Sequence, residues 1–165
     1  MAQVTLGGNV VNTNGDLPAI GTKAPAFTLT KSDLSAVSQT DFAGKNIVLN
    51  IFPSLDTATC AASVRTFNLR AAGLDNTTVL CVSADLPFAA GRFCAAEGIE
   101  NVVTASTFKN PEFLTDYGIK LVDGRLAGLA ARSVVVVGAD GVVRHTELVP
   151  EIAQEPNYDA ALAVL

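Results

Sequence analysis

One cysteine of this chain lies where a thiolate forms readily. An aliphatic run at residues 45–52 predicts a strand, which Pro53 ends. After the proline, Asp56 or Thr57 can cap a helix whose first turn contains Cys60. Helix N-termini favour negative charge, so this segment indicates a nucleophilic thiol.

The predicted helix also turns Cys60 towards the core. Apolar residues recur at Cys60, Val64, Phe67 and Ala71, which is the spacing of one helix face, and Gly73 predicts the helix end. A nucleophile near neutral pH usually requires a pKa about two to three units below the ~8.5 of a free cysteine, a difference of about 3–4 kcal/mol. The helix dipole contributes only ~0.3–1 kcal/mol, or ~2 kcal/mol in a favourable geometry. We therefore expect an arginine near the sulfur.

The composition favours one globular domain without a nucleic-acid or membrane partner. Of the 165 residues 49% are hydrophobic, enough for one substantial core, and we predict a single domain over residues 1–165. The net charge of −5, without clustered Lys and Arg, argues against nucleic-acid binding. No run approaches the ~18 apolar residues of a membrane span, and the N-terminus lacks a signal-peptide pattern, so we expect a cytoplasmic protein.

The cysteines do not form a structural framework. Cys60, Cys81 and Cys94 are odd in number and lack CxxC or Cys/His spacing, so neither a disulfide scaffold nor a zinc site is expected. In a reducing compartment, a disulfide between two of them is transient and catalytic.

Strands and helices alternate along the chain in βαβ order, which predicts an α/β fold with a mixed central sheet flanked by helices on both faces. An N-terminal β-hairpin precedes this body. Asp85 is predicted to cap the second helix and Gly98 to end it. The predicted strands are residues 4–6, 10–12, 27–30, 45–52, 77–84, 102–105, 131–137 and 142–149, and the predicted helices begin near residues 57, 86, 111 and 157.

The string PSLDTATC matches the PxxxTxxC active-site motif of the peroxiredoxins residue for residue. Four further strings, VLNIFP, CAASVRTFN, VLCVSADLPFAAGRFC and GLAARSVVVV, resemble the thiol peroxidase subfamily. The resemblance covers nearly the whole chain, including the N-terminal hairpin, and implies a thioredoxin-like fold.

The resemblance implies roles for five residues. Cys60 is the peroxidatic nucleophile, and Cys94 is the resolving thiol that forms an intramolecular disulfide with it. Arg132 stabilises the thiolate and the transition state, Thr57 hydrogen-bonds the thiolate or the peroxide, and Pro53 shields the site from water. A disulfide requires Cα atoms within roughly 7 Å, so we expect one or both cysteine-bearing helices to unwind partly after oxidation.

The resemblance also implies partners. The expected substrates are hydrogen peroxide and alkyl hydroperoxides, the latter favoured by an apolar rim of Leu55, Phe88 and Phe93. The reductant is thioredoxin, the assembly is a homodimer, and no metal, haem or flavin is needed.

Other interpretations remain open from the sequence alone. Cys60 and Cys94 are also compatible with core packing, which is the role expected of Cys81. Arg132 precedes a valine-rich strand, where a buried guanidinium needs a negative partner, either the Cys60 thiolate or a carboxylate. A Cys-His hydrolase would have to use His145, the single histidine. A thiol-based redox sensor or a disulfide oxidoreductase is the alternative function.

Overall fold

The chain forms nine β-strands and four α-helices in the computed structural model, which describes residues 1–165. A 3₁₀ turn at Gln39–Phe42 follows the fourth strand. The strands are β1 (Gln3–Leu6), β2 (Asn9–Asn12), β3 (Thr28–Lys31), β4 (Ala36–Ser38), β5 (Asn46–Ile51), β6 (Thr77–Ser83), β7 (Val103–Ser106), β8 (Ser133–Val137) and β9 (Val143–Leu148). The helices are α1 (Ala58–Ala71), α2 (Pro87–Glu97), α3 (Glu112–Asp116) and α4 (Tyr158–Leu162).

Seven strands form one mixed sheet in the order β4-β3-β7-β6-β5-β8-β9. Its centre is parallel, because β5, β6 and β7 run in the same direction. Strand β8 pairs antiparallel with β5, and β9 pairs antiparallel with β8. The carboxyl ends of β5 and β6 therefore lie at the same edge as the start of β8, and the loops at this edge carry the predicted site.

Side chains of β5 alternate between two cores on opposite faces of the sheet. Leu49 and Ile51 belong to the core that includes α3, whereas Val48 belongs to the core beneath α1, α2 and α4. The central strands are buried on both faces, which explains their aliphatic sequence.

The N-terminal hairpin β1–β2 forms a separate two-stranded sheet. Thr5 fixes it to the segment before α4, because its N–H donates to the Pro150 carbonyl at 2.7 Å and its carbonyl accepts from the Ile152 N–H at 2.8 Å. The Glu151 carboxylate adds hydrogen bonds to the Thr5 hydroxyl and the Gly8 N–H. The hairpin thus holds residues 150–152, which adjoin the site.

The predicted fold class, element order and N-terminal hairpin are confirmed, with three differences. The sequence analysis did not predict the three-residue strand β4 or the following 3₁₀ turn. The predicted cap of α2 was wrong, because the N-cap is Leu86 and the Asp85 carboxylate binds elsewhere. Gly98 does end α2, in the left-handed conformation. None of the helices has the length and apolar character needed to cross a bilayer.

Candidate active site

Cys60 lies in the first turn of α1, directly after the central strand β5. The side chain is fully buried, and its backbone N–H donates to Thr57 Oγ1 at 3.4 Å. Of the two predicted caps, Thr57 is therefore the one used. The sulfur sits where the free N–H groups of a helix terminus favour a negative charge.

The Thr57 hydroxyl makes two hydrogen bonds at once. It accepts from Cys60 N and donates its proton to the Ser54 carbonyl at 3.1 Å. Thr57 as a whole is exposed. To donate to a thiolate or a peroxide, the hydroxyl must first turn away from Ser54.

Arg132 reaches the sulfur from the neighbouring strand. Because Ser133 pairs with Ile51, the residue before β8 lies beside the end of β5. Arg132 Nη2 donates to Cys60 Sγ at 3.2 Å, and Nε donates to the Ile152 carbonyl at 2.8 Å. The guanidinium is 1% exposed. The expected arginine is thus found at the thiol.

No carboxylate neutralises this buried guanidinium. The four ion pairs of the chain involve the N-terminus, Arg65, Arg70 and Arg144, and none includes Arg132. Its Nη1 has no hydrogen-bond partner although it is buried. An unpaired buried charge is costly, whereas a Cys60 thiolate at 3.2 Å offsets that cost. The alternative of a structural ion pair with a carboxylate is therefore not supported.

Burial raises the pKa values of the other two cysteine thiols. Burial raises the pKa of the Cys81 thiol from 9.0 to about 12, so it is a neutral packing group within the core. Cys94 lies on α2, is half-buried, and packs against the same core as Cys60. Desolvation raises the pKa of the Cys94 thiol, an effect that a hydrogen bond from Thr104 opposes. All three cysteines are free thiols in this structure.

The remaining predicted residues surround the cysteine in different ways. Pro53 is buried between β5 and α1. Leu55 is buried in the core that contains Cys60, and Phe93 packs against that core. Of the three residues expected in an apolar rim, only Phe88 is largely exposed, at 69%. His145 makes no hydrogen bond to Cys60, and its buried Nε2 has no partner, so the structure does not form a Cys-His pair.

Asp85 is a site residue that the sequence analysis assigned to another role. Its carboxylate accepts from Ser54 Oγ and from the Leu55 N–H, both at 2.8 Å. A signal for this contact does exist in the sequence. Asp85 follows β6 as Pro53 follows β5, and the carboxyl ends of adjacent parallel strands meet at one edge of a sheet.

A mixed sheet with a helix-borne cysteine facing a buried arginine is typical of thiol-based redox proteins. The family model for Redoxin matches residues 19–162. Thiol peroxidases of Mycobacterium tuberculosis and Mycobacterium bovis are each 63% identical over 165 residues, covering 100% of this chain and 99% of theirs.

Solved structures agree with these matches. A peroxiredoxin-like protein from Aquifex aeolicus superposes with a TM-score of 0.92 at 36% identity, covering 99% of this chain and 95% of that one. A thiol peroxidase from Chromobacterium violaceum shares the fold, with a TM-score of 0.87 at 19% identity over 98% of this chain and 93% of that one. The chain belongs to the redoxin family and, within it, to the thiol peroxidases. The expectation of a peroxidase enzyme is thereby confirmed.

Proposed function

We propose that this enzyme reduces hydroperoxides in two thiol steps, with Cys60 as the peroxidatic nucleophile and Cys94 as the resolving thiol. The observation that carries the proposal is the Arg132 guanidinium, which is buried, lacks a carboxylate partner and donates to Cys60 Sγ at 3.2 Å. This arrangement supports a negatively charged sulfur at the end of a helix that also favours it.

In the first step the Cys60 thiolate attacks the terminal oxygen of the peroxide. The S–O bond forms as the O–O bond breaks, the sulfur becomes a sulfenic acid, and the leaving alkoxide or hydroxide takes a proton to become alcohol or water. Negative charge moves from sulfur to the leaving oxygen. The unpartnered Nη1 of Arg132 is available for that oxygen while Nη2 holds the sulfur.

Thr57 and Pro53 complete the first step in this proposal. Thr57 caps α1, and its hydroxyl can turn from the Ser54 carbonyl towards the peroxide. The buried Pro53 ring keeps bulk water from one side of the sulfur, which strengthens the hydrogen bonds around it.

In the second step the Cys94 thiol attacks the Cys60 sulfenic acid. A disulfide forms and one water leaves, so the two thiol sulfurs have together supplied two electrons to the peroxide. Both cysteines lie on helices that are intact in the structure with free thiols. We propose that α1, α2 or both unwind partly so that the sulfurs meet.

The disulfide is then returned to two thiols by an external dithiol, and we propose thioredoxin. A donor thiolate attacks the more exposed sulfur, and Cys94 is half-buried whereas Cys60 is fully buried. The initial mixed disulfide therefore joins the donor to Cys94 in this scheme. The second donor thiol releases the enzyme and leaves an oxidised donor.

We also propose that the enzyme accepts hydrogen peroxide and alkyl hydroperoxides, acts as a cytoplasmic homodimer, and needs no metal or organic cofactor. The family resemblance supports these points, and the exposed Phe88 on the Cys94 helix supports contact with an apolar substrate or partner. Sedimentation of the reduced and oxidised protein tests the homodimer.

Peptide mapping after oxidation tests the proposal. The reduced protein is treated with one equivalent of hydrogen peroxide, alkylated and digested, and the linked peptides are identified by mass spectrometry. We expect a Cys60–Cys94 bond, and the same bond in Cys81→Ser, which is the matched control for an uninvolved thiol. A predominant bond to Cys81, or unmodified Cys60, would contradict the assignment.

A further inference from the structure

The Asp85 carboxylate accepts hydrogen bonds from three donors in two parts of the fold. Oδ1 accepts from Ser54 Oγ at 2.8 Å, and Oδ2 accepts from the Leu55 N–H at 2.8 Å and from Ser83 Oγ at 2.7 Å. Hydrogen bonds to an ionised carboxylate are stronger than those between neutral groups. The three bonds therefore form a firm junction.

This junction joins the two segments that carry the reactive cysteines. Ser54 and Leu55 belong to the loop that leads into α1 and Cys60. Asp85 itself stands immediately before Leu86, the N-cap of α2, which carries Cys94. The Asp85 backbone is fixed in turn, because its carbonyl accepts from the Ser106 hydroxyl of β7.

Residues 54–57 have no other hydrogen-bonded connection to the rest of the fold. The Asp56 N–H donates to Ser54 Oγ, and both the N–H and the hydroxyl of Thr57 donate to the Ser54 carbonyl. The Thr57 oxygens accept only from Cys60 and Ala61 in the first turn of α1. Apart from α1 itself, which Thr59 links to the Ala153 carbonyl and Cys60 links to Arg132, Asp85 is thus the one hydrogen-bonding partner of this loop.

We propose that Asp85 is a positioning residue that latches the Cys60 loop to the start of the Cys94 helix. In the latched state Thr57 caps α1, and Cys60 stays beside Arg132. Release of the latch frees the loop that leads into α1 to move relative to the start of α2, a movement that disulfide formation requires. This inference rests on the two-step function proposed above.

The latch predicts opposite effects on the two chemical steps. Weakening it lowers the population of the latched arrangement, which is the one in the structure, only slightly, so sulfenic acid formation slows by less than about twofold. It raises the population in which the loop before α1 is free by a larger factor, so the disulfide forms faster, by about tenfold for the loss of one charge-assisted hydrogen bond. A change that merely loosened the whole fold would slow the first step without accelerating the second.

Rapid mixing of Asp85→Asn with hydrogen peroxide tests the latch. Dimedone trapping and quenched alkylation follow the sulfenic acid and the disulfide separately in time. Asp140→Asn is the matched control, because it makes the same change in a carboxylate that accepts from the Val142 N–H and Arg144 Nη2 in the turn after β8, away from the cysteines. If Asp85→Asn does not fold, Ser54→Ala, which removes one of the two loop bonds, replaces it.

We expect disulfide formation about tenfold faster than in the unmodified protein, sulfenic acid formation slowed by less than about twofold, and neither change in Asp140→Asn. Equal rates in Asp85→Asn and the unmodified protein, or a parallel slowing of both steps, would overturn the latch. Measurements on the unmodified protein distinguish a failure of the latch from a failure of the proposed two-step function. If that protein forms no Cys60–Cys94 disulfide, the two-step scheme fails and the latch inferred from it fails too.

Discussion

At the scale of single residues, the contact between Arg132 and Cys60 determines the chemistry. The sequence predicted that the cysteine would need a nearby cation, and the valine-rich strand after Arg132 indicated that the cation would be buried. The sequence did not predict the Ile152 carbonyl that orients Nε. The acceptor is a backbone carbonyl, which every residue has, so the residue type at position 152 does not indicate this contact.

Replacing Arg132 separates its charge from its geometry. In Arg132→Met the charge is lost, and we expect the rate of the peroxide step to fall about 100-fold or more. Arg132→Lys keeps the charge but loses the planar guanidinium with its two NH2 groups. Its rate should therefore lie between those of Arg132→Met and the unmodified protein. Stopped-flow mixing with hydrogen peroxide measures these rates. Arg144→Met, which removes an exposed arginine paired with Asp140, is the control, and a similar loss there would contradict the assignment.

At the scale of elements, the long strands and helices were predictable and the short or loop-determined features were not. Hydrophobic runs and periodicity predicted β5, α1 and α2 to within a few residues. Strand β4 has only three residues, too few for alternation to be recognised. An Asp before a proline-initiated helix resembles a cap, but here the nearby Ser54 and Leu55 donors compete successfully for the Asp85 carboxylate.

The cap of α1 is testable by itself. Thr57→Val removes the oxygen that accepts from Cys60 N, so we expect the free energy of unfolding to fall by about 1 kcal/mol. The peroxide step should slow as well, since this hydroxyl holds the backbone N–H of Cys60 in the first turn of α1. Urea denaturation and stopped-flow kinetics measure the two effects. Thr57→Ser keeps the hydroxyl and should retain both properties, whereas equal losses in the two variants would contradict the role given to the hydroxyl.

Amide exchange tests the unwinding of α1 and α2. We expect exchange in the first turn of α1, in α2 or in both to accelerate when the disulfide forms, because the two cysteines lie on separate helices and the bond requires Cα atoms within roughly 7 Å. The peroxide-treated Cys94→Ser protein is the control, since it oxidises at Cys60 without forming the bond. Similar protection of both helices in the reduced and disulfide forms would count heavily against unwinding.

At the scale of the whole molecule, the sheet topology assembles the site. The order β6-β5-β8 places the ends of two parallel strands beside the start of an antiparallel one, so Cys60, Asp85 and Arg132 meet at one edge. Residue patterns predicted the mixed sheet and all of the strands except β4. The polar contacts between loops at that edge depend on three-dimensional approach, which spacing along the chain does not encode.

The buried Cys81 predicts how stability depends on pH. Its pKa is raised to about 12 in the folded protein, so the folded state keeps the proton when the unfolded chain releases it above about pH 9. Stability from this thiol is complete below pH 9 and is lost as the pH rises, by about 1.4 kcal/mol between pH 7 and pH 10. Urea unfolding at both values measures the loss. The free energy of unfolding of Cys81→Val should fall by about 1.4 kcal/mol less than that of the unmodified protein over the same pH range. An equal fall in the two proteins would exclude Cys81 as the cause.

The most direct test of the account is thioredoxin-coupled turnover of hydrogen peroxide, followed by NADPH oxidation with thioredoxin reductase present. We predict that Cys60→Ser and Cys94→Ser both lose this turnover, and that Cys94→Ser still consumes one equivalent of peroxide in a single event. Full activity in Cys60→Ser would contradict the peroxidatic role of Cys60. Sustained turnover in Cys94→Ser would instead show that another thiol, Cys81 or the donor itself, resolves the sulfenic acid.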